Sequence, residues 1–187
     1  AVEFVPPLPA RKQLAIDRVG FGLLNKVVLR FPRVLWKAAS AFLVYATPDR
    51  SLVSTFLNLA AGGGAPVLVG LHAGAAARAN EALSDAELAE KALVCLRGMY
   101  GADIPAPEEV VCTRWGSDPM ARGAYTAPEC LLDGVVLEDY EVLAEPVGAS
   151  VYFAGEAASR QVGTIQGAFN SGIRAAEEVD RDAAAGL

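Results

Sequence analysis

The spacing of apolar and polar residues changes several times along this chain, and each change predicts an element. Pro9 opens a short helix running to Arg18, with Leu14, Ala15 and Val19 on one side, and Gly20 and Gly22 then break it. From Leu23 to Phe31 the period falls to two: Leu23, Val27, Leu29 and Phe31 alternate onto one face of a strand. Phe42–Tyr45, Leu52–Leu59 and Val67–Leu71 read as further strands, the last two joined across Gly62-Gly63-Gly64. That glycine run has Pro66 behind it and no helix after it, so it predicts a hairpin loop rather than a phosphate cradle.

Helical spacing returns at Ser84, which with Glu87 forms a capping box, followed by Leu88, Ala92, Leu96 and Met99 up to Gly101. The Pro105 to Pro107 region reads as a loop and Val110–Thr113 as a short strand. Residues 128 to 148 read as an irregular, acidic crossing between lobes. Val151–Ala154 predicts a strand ended by Gly155, and a last helix runs from about Thr164 to Asp180. Helices and strands thus alternate in an α/β (α+β mixed) pattern.

Composition narrows the class. At 187 residues the chain buries roughly 70% of its unfolded surface on folding, enough for a sizeable core. It is 53% hydrophobic and only 20% charged, which excludes a disordered or fibrous chain and suggests faces meant to be covered. A net charge of −6 argues against phosphate-backbone binding and suits a cationic substrate, although it also describes an ordinary solvated surface. Cys95, Cys112 and Cys130 are odd in number and lack C-x-x-C spacing, so reduced thiols in the nucleus or cytoplasm are expected. His72 is the only histidine, so a histidine-rich metal site is excluded and no metal is expected. No apolar run approaches the roughly 20 residues that cross a bilayer, so no membrane partner is expected. The opening Ala1-Val2-Glu3-Phe4-Val5-Pro6-Pro7 carries no basic leader and reads as mid-domain sequence.

Chemistry concentrates in a few segments. The closing run Tyr152-Phe153-Ala154-Gly155-Glu156, then Gly163-Thr164-Ile165-Gln166-Gly167-Ala168, reads as strand, loop and helix start. A helix start offers unpaired amides and a positive dipole end to a cofactor carbonyl or developing negative charge. Glu156 is placed to accept hydrogen bonds from sugar hydroxyls, while Gly167 and Gly172 let the helix press on its neighbours. By pattern alone the same segment is also an ordinary capped helix packed on a strand. Lys26, between Leu24 and Val28 on the second strand face, is either solvated or held beside a cofactor to orient water. Trp115 and Tyr125 sit in loops, where aromatic residues plug cores or wall substrate channels. His72 reads as a buried or edge histidine without a role.

Taken in order, Phe21-Gly22-Leu23-Leu24-Asn25-Lys26-Val27, Phe31 through Trp36, Thr113-Arg114-Trp115-Gly116-Ser117-Asp118-Pro119, Phe153-Ala154-Gly155-Glu156 and Thr164-Ile165-Gln166-Gly167-Ala168 resemble flavin-containing amine oxidases. Members like lysine-specific histone demethylases look closest and plant-type polyamine oxidases next. The resemblance implies a two-domain FAD enzyme. Residues 1–130 would belong to its mixed-sheet substrate domain, and 131–187 would supply the last strand and helix of its FAD-binding domain. It further implies that Lys26 holds a water near the reactive flavin nitrogen and that Trp115 packs beside the isoalloxazine. Tyr125 would wall the amine channel, and Thr164 stands where some members place a second channel tyrosine. Gly155 and Glu156 would meet the ribityl–phosphate region, and the amides of Thr164 and Ile165 the pyrimidine edge.

Departures bear on substrate more than on family. Ala75 stands where most relatives carry a glutamate, and Gln166 replaces a usual histidine. The G-x-G-x-x-G turn that seats the FAD pyrophosphate does not occur in the 187 residues. The chain is therefore expected to be an incomplete enzyme whose partners are a missing amino-terminal FAD-binding half and a cationic amine, with no direct nucleic-acid contact. That amine is a methyl-lysine peptide or, alternatively, a polyamine such as spermine. A third reading is a non-catalytic lobe that scaffolds a partner.

Overall fold

A computed structural model describes residues 2–127 and 137–186. They form two compact units: one comprises Ala1–Gly22 with Tyr125–Leu187, the other Leu23–Ala124. The division between 1–130 and 131–187 drawn from the sequence falls outside the described residues, as does Cys130.

The unit of Leu23–Ala124 is built on five strands: β1 (Leu24–Arg30), β2 (Phe42–Val44), β3 (Thr55–Asn58), β4 (Val67–Ala73) and β5 (Glu109–Cys112). Their order across the sheet is β2-β3-β4-β1-β5, and every pairing is antiparallel. The expected alternation in β1 holds: Val27 and Leu29 are buried, as are Leu23 and Phe31 at its flanks. Residue 25 shares that inward face, so Asn25 is fully buried beside them, whereas Leu24, Lys26 and Val28 lie on the half-covered face. The loop containing Gly62-Gly63-Gly64 connects β3 to its antiparallel neighbour β4, as the hairpin reading requires.

Helix α2 (Gly74–Asn80) follows β4 directly, and α3 (Asp85–Tyr100) follows after a short link. The capping box at α3 is present: Ser84 Oγ accepts the Glu87 amide at 3.3 Å, and Glu87 accepts the Ser84 amide at 2.8 Å. Leu88, Ala92, Cys95 and Leu96 of α3 close one core with Val27, Leu29, Phe56 and Leu68 of the sheet. Burying each large aliphatic side chain there contributes about 1.5–3 kcal/mol.

The other unit is helical. It contains α1 (Ala10–Val19), α4 (Leu137–Ala144), a 3₁₀ turn (Glu156–Ala158) and α5 (Ile165–Ala184). Three sequence expectations are corrected here. Within the stretch read as irregular, residues 137–144 are helical, and the carbonyls at the end of α4 are satisfied from far along the chain. Lys12 Nζ donates to Val142 O at 2.6 Å and Leu143 O at 3.0 Å, and Arg174 donates to Ala144 O at 3.1 Å. Cationic donors at a helix carboxyl end also oppose its dipole. The expected strand Val151–Ala154 shrinks to a single bridge between Val151 and Val147. Its backbone is taken by α5 side chains instead of a ladder: Arg174 donates to Phe153 O at 2.7 Å, and Gly155 N donates to Ser171 Oγ at 2.9 Å. Of the two glycines expected to allow close packing, Gly167 does so, since a Cβ there would lie 2.2 Å from Gln161 O; Gly172 has nothing within 4 Å.

Candidate functional site

In the sheet-based unit the candidate residues gather where β1 meets the segment after β5. Thr113 extends the pairing: its amide donates to Lys26 O at 3.0 Å, and its Oγ1 accepts the Lys26 amide at 2.8 Å. Thr113 Oγ1 also donates to Asn25 Oδ1 at 3.1 Å, and the Trp115 amide reaches the same oxygen at 3.0 Å. The buried Asn25 amide donates to Glu81 Oε1 at 2.8 Å. Lys26 and Trp115 therefore hang from adjacent residues of one hydrogen-bonded frame. The Lys26 ammonium makes no hydrogen bond or ion pair among the described residues, and the Trp115 side chain is part-exposed. An ammonium with no partner among the described residues can hold an ordered water, and a part-exposed indole can stack on a flat ring.

Asn25 and Glu81 were not singled out by sequence. Asn25 carried a readable sign: a polar residue at an inward strand position must find partners, because an unpaired buried amide costs about 1–3 kcal/mol. Glu81 carried none, since its partners lie 35 and 56 residues away.

In the helical unit Glu156 begins the 3₁₀ turn. Its Oε1 accepts both the amide and the hydroxyl of the buried Thr126, and its Oε2 accepts the Gly163 amide at 2.7 Å. A carboxylate offers about four lone-pair positions, so this bracing leaves room for one further donor. Beside it lies a cavity of about 290 Å³, bordered by Ile16, Val19, Phe21, Leu143 and Glu156. Gly155, immediately before, takes φ 133°, a backbone conformation open to glycine. The Tyr125 ring lies against Gly163, whose added Cβ would meet it at 3.5 Å.

Thr164 caps α5. Its Oγ1 accepts the Gly167 amide at 2.9 Å and donates to Gln161 O at 2.7 Å. The first-turn amides of Ile165 and Gln166 have no acceptor among the described residues, and Ile165 is 90% exposed. Tyr125, Glu156, Gly163 and Thr164 thus come together in this unit, and Lys26 with Trp115 in the other. Within the helical unit the first-turn amides of α5 suit a flavin carbonyl edge and the Glu156 carboxylate suits ribityl hydroxyls, but no residue here matches the pyrophosphate-binding turn. The described residues contain neither a cluster of metal-ligating side chains nor a helix long and apolar enough to cross a membrane.

The chain belongs to the flavin-containing amine oxidoreductase family, whose profile matches residues 1–180. It is 42% identical over 186 residues to lysine-specific histone demethylase 1 homolog 2 of Arabidopsis thaliana, covering 96% of this chain and 24% of that protein. To homolog 1 of Oryza sativa subsp. japonica it is 41% identical, covering 97% and 22% respectively. To the protein FLOWERING LOCUS D of Arabidopsis thaliana it is 39% identical, covering 99% and 24%. The chain spans about a quarter of the length of the curated relatives it matches.

Proposed function

We propose that these residues are the carboxy-terminal part of an FAD-dependent amine oxidase that demethylates lysine side chains in a histone-like peptide. The observation that carries this reading is the frame joining Asn25, Lys26, Thr113 and Trp115, in a chain about 40% identical to relatives named as histone demethylases. Bound FAD supplies acceptance of a hydride from the carbon next to the amine nitrogen; water then hydrolyses the imine to aldehyde and amine, and oxygen is reduced to hydrogen peroxide.

The chain's own part is placement. Lys26 holds a water toward the flavin ring, and Trp115 packs beside that ring. The amides of Thr164 and Ile165 stabilise negative charge on its pyrimidine edge, while Gly155 and Glu156 meet the ribityl–phosphate region. Tyr125 and Thr164 border the amine. In this reading residues 1–130 belong to the substrate domain and 131–187 to the FAD-binding domain. The pyrophosphate turn comes from sequence outside these 187 residues, and a histone substrate implies the nucleus. A polyamine oxidase is the second reading, favoured by family membership and the −6 charge, which suits any polycation.

The test is a peroxide assay of the full-length protein with a dimethyl-lysine histone peptide, spermine and acetylated spermine. Peroxide from the peptide alone is expected. Turnover of the polyamines with a silent peptide replaces the histone reading by the second, and no turnover of any returns the chain to a scaffold.

A further inference from the structure

Trp115 is held by more than the strand beside it. The loop that carries it is gripped from the link between α2 and α3, at the far end of which the capping box begins. Glu81, the first residue of that link, faces the loop with both carboxylate oxygens. Oε1 accepts the Gly116 amide at 2.7 Å together with the Asn25 amide at 2.8 Å, and Oε2 accepts the Ser117 hydroxyl. Its backbone carbonyl accepts Arg114 Nε at 3.3 Å. Two residues on, Leu83 O accepts Arg114 Nη2 at 2.6 Å, and Asp85 pairs with the same guanidinium at 2.7 Å. The residues on both sides of Trp115 are therefore tied to this link, and Trp115 itself to Asn25.

The contact is close on both sides. A Cβ on Gly116 would lie 2.9 Å from each Glu81 oxygen, so a side chain there would displace the carboxylate from its present seat on the amide. Burial raises the Glu81 pKa, but the hydrogen bonds from Ser117, Asn25 and Gly116 outweigh it, and the net direction is downward. The side chain is thus an acceptor throughout the neutral range.

We propose that Glu81 is a positioning residue for this site: its carboxylate bolts the Thr113–Ser117 segment, and with it Trp115, onto the strand that carries Lys26. The inference rests on the reading of Lys26 and Trp115 as flavin-facing. Glu81 itself acts only through Asn25, Gly116 and Ser117. Its effect is on where the indole stands when the amine is oxidised, not on how tightly the amine binds.

The experiment uses the full-length, flavin-loaded protein and three variants. Glu81→Met keeps the volume and removes every acceptor. Glu81→Gln keeps one oxygen for Asn25 and Gly116, and its amide can donate to Ser117 Oγ, so it is the conservative rescue. Gly116→Ala displaces the carboxylate of an otherwise intact Glu81 from the Gly116 amide, and reads the same relationship should Glu81→Met fail to fold. Hydrogen exchange of the 113–117 amides is expected to rise about tenfold in Glu81→Met and Gly116→Ala, with α3 and β4 unchanged. Anaerobic flavin reduction by the amine should slow about tenfold in both, with amine affinity within about twofold and Glu81→Gln restoring most of the rate. Unchanged exchange at 113–117 overturns the proposal, as does raised exchange with an unchanged rate. A loss seen only in amine affinity also overturns it. Lys26→Met is the control: if it too reduces flavin at the wild-type rate, the flavin-facing reading itself has failed. If it is slow while Glu81→Met is silent, the role of Glu81 alone has failed.

Discussion

Asn25 Oδ1 accepts the Trp115 amide at 3.0 Å, across 90 residues of sequence, and its Nδ2 donates to Glu81 at 2.8 Å. One fully buried amide therefore joins a strand, a loop and a helix link. Asn25→Leu fills the space but strands the Trp115 amide and the Glu81 carboxylate. We expect a loss of about 2–4 kcal/mol, read as a lower urea midpoint with an unchanged slope. A midpoint equal to wild type would show that water replaces the amide without penalty.

His72 is buried opposite Asn25 in the sheet, its Nε2 has no partner among the described residues, and burial lowers its pKa below 6.5 against an opposing pull from Glu81. The folded chain thus prefers neutral imidazole, and the unfolded chain binds the proton first as pH falls. Stability should be level above about pH 7.5 and decline through pH 6.5 and below, by at most about 1.4 kcal/mol per pH unit. Because no other histidine is present, His72→Gln should flatten that slope between about pH 7 and 5.5. A slope that survives the substitution assigns the effect elsewhere.

Lys12 is 3% exposed, donates to Val142 O and Leu143 O, and stands 4.1 Å from the centre of the Phe153 ring. Lys12→Met retains the stem and removes the donors, leaving the Val142 and Leu143 carbonyls without Lys12 while Arg174 still meets Ala144 O. The helical unit should lose about 2–3 kcal/mol, with hydrogen exchange rising at 137–144 before the sheet is affected. Exchange rising equally in both units would refute a local role.

Cys112 at the end of β5 has its thiol pKa pushed up to about 11 by burial and the neighbouring carboxylate of Asp85. Burial raises Cys95 as well. Iodoacetamide at neutral pH should leave both unmodified in the native protein and label both in urea, because the thiolate is the reactive form. Rapid native labelling of Cys112 would mean that β5 opens readily.

The 187-residue chain, purified with excess FAD and desalted, is expected to emerge colourless. In the proposed site the amides at the start of α5 and the braced Glu156 would meet only the flavin end, and these 187 residues hold no glycine turn for the pyrophosphate. Stoichiometric yellow protein would overturn this.

Much of this protein was determined locally. The two-residue alternation of Leu23 to Phe31, the Ser84–Glu87 capping box and the glycine hairpin all rest on neighbours within a few residues, and each appears where its spacing puts it. The ordered motifs that mark the family are likewise linear. Tertiary structure decided what spacing does not encode. Residues 137–144 become helical with their terminal carbonyls met by Lys12 and Arg174, and Val151–Ala154 loses its ladder to the side chains of α5. Glu156 spends three hydrogen bonds on Thr126 and Gly163, and Glu81 grips a loop 35 residues away. The physical reason is common to all four: a polar group taken out of water must be paired, and its partner is whichever donor or acceptor the fold brings within about 3 Å, however distant in sequence.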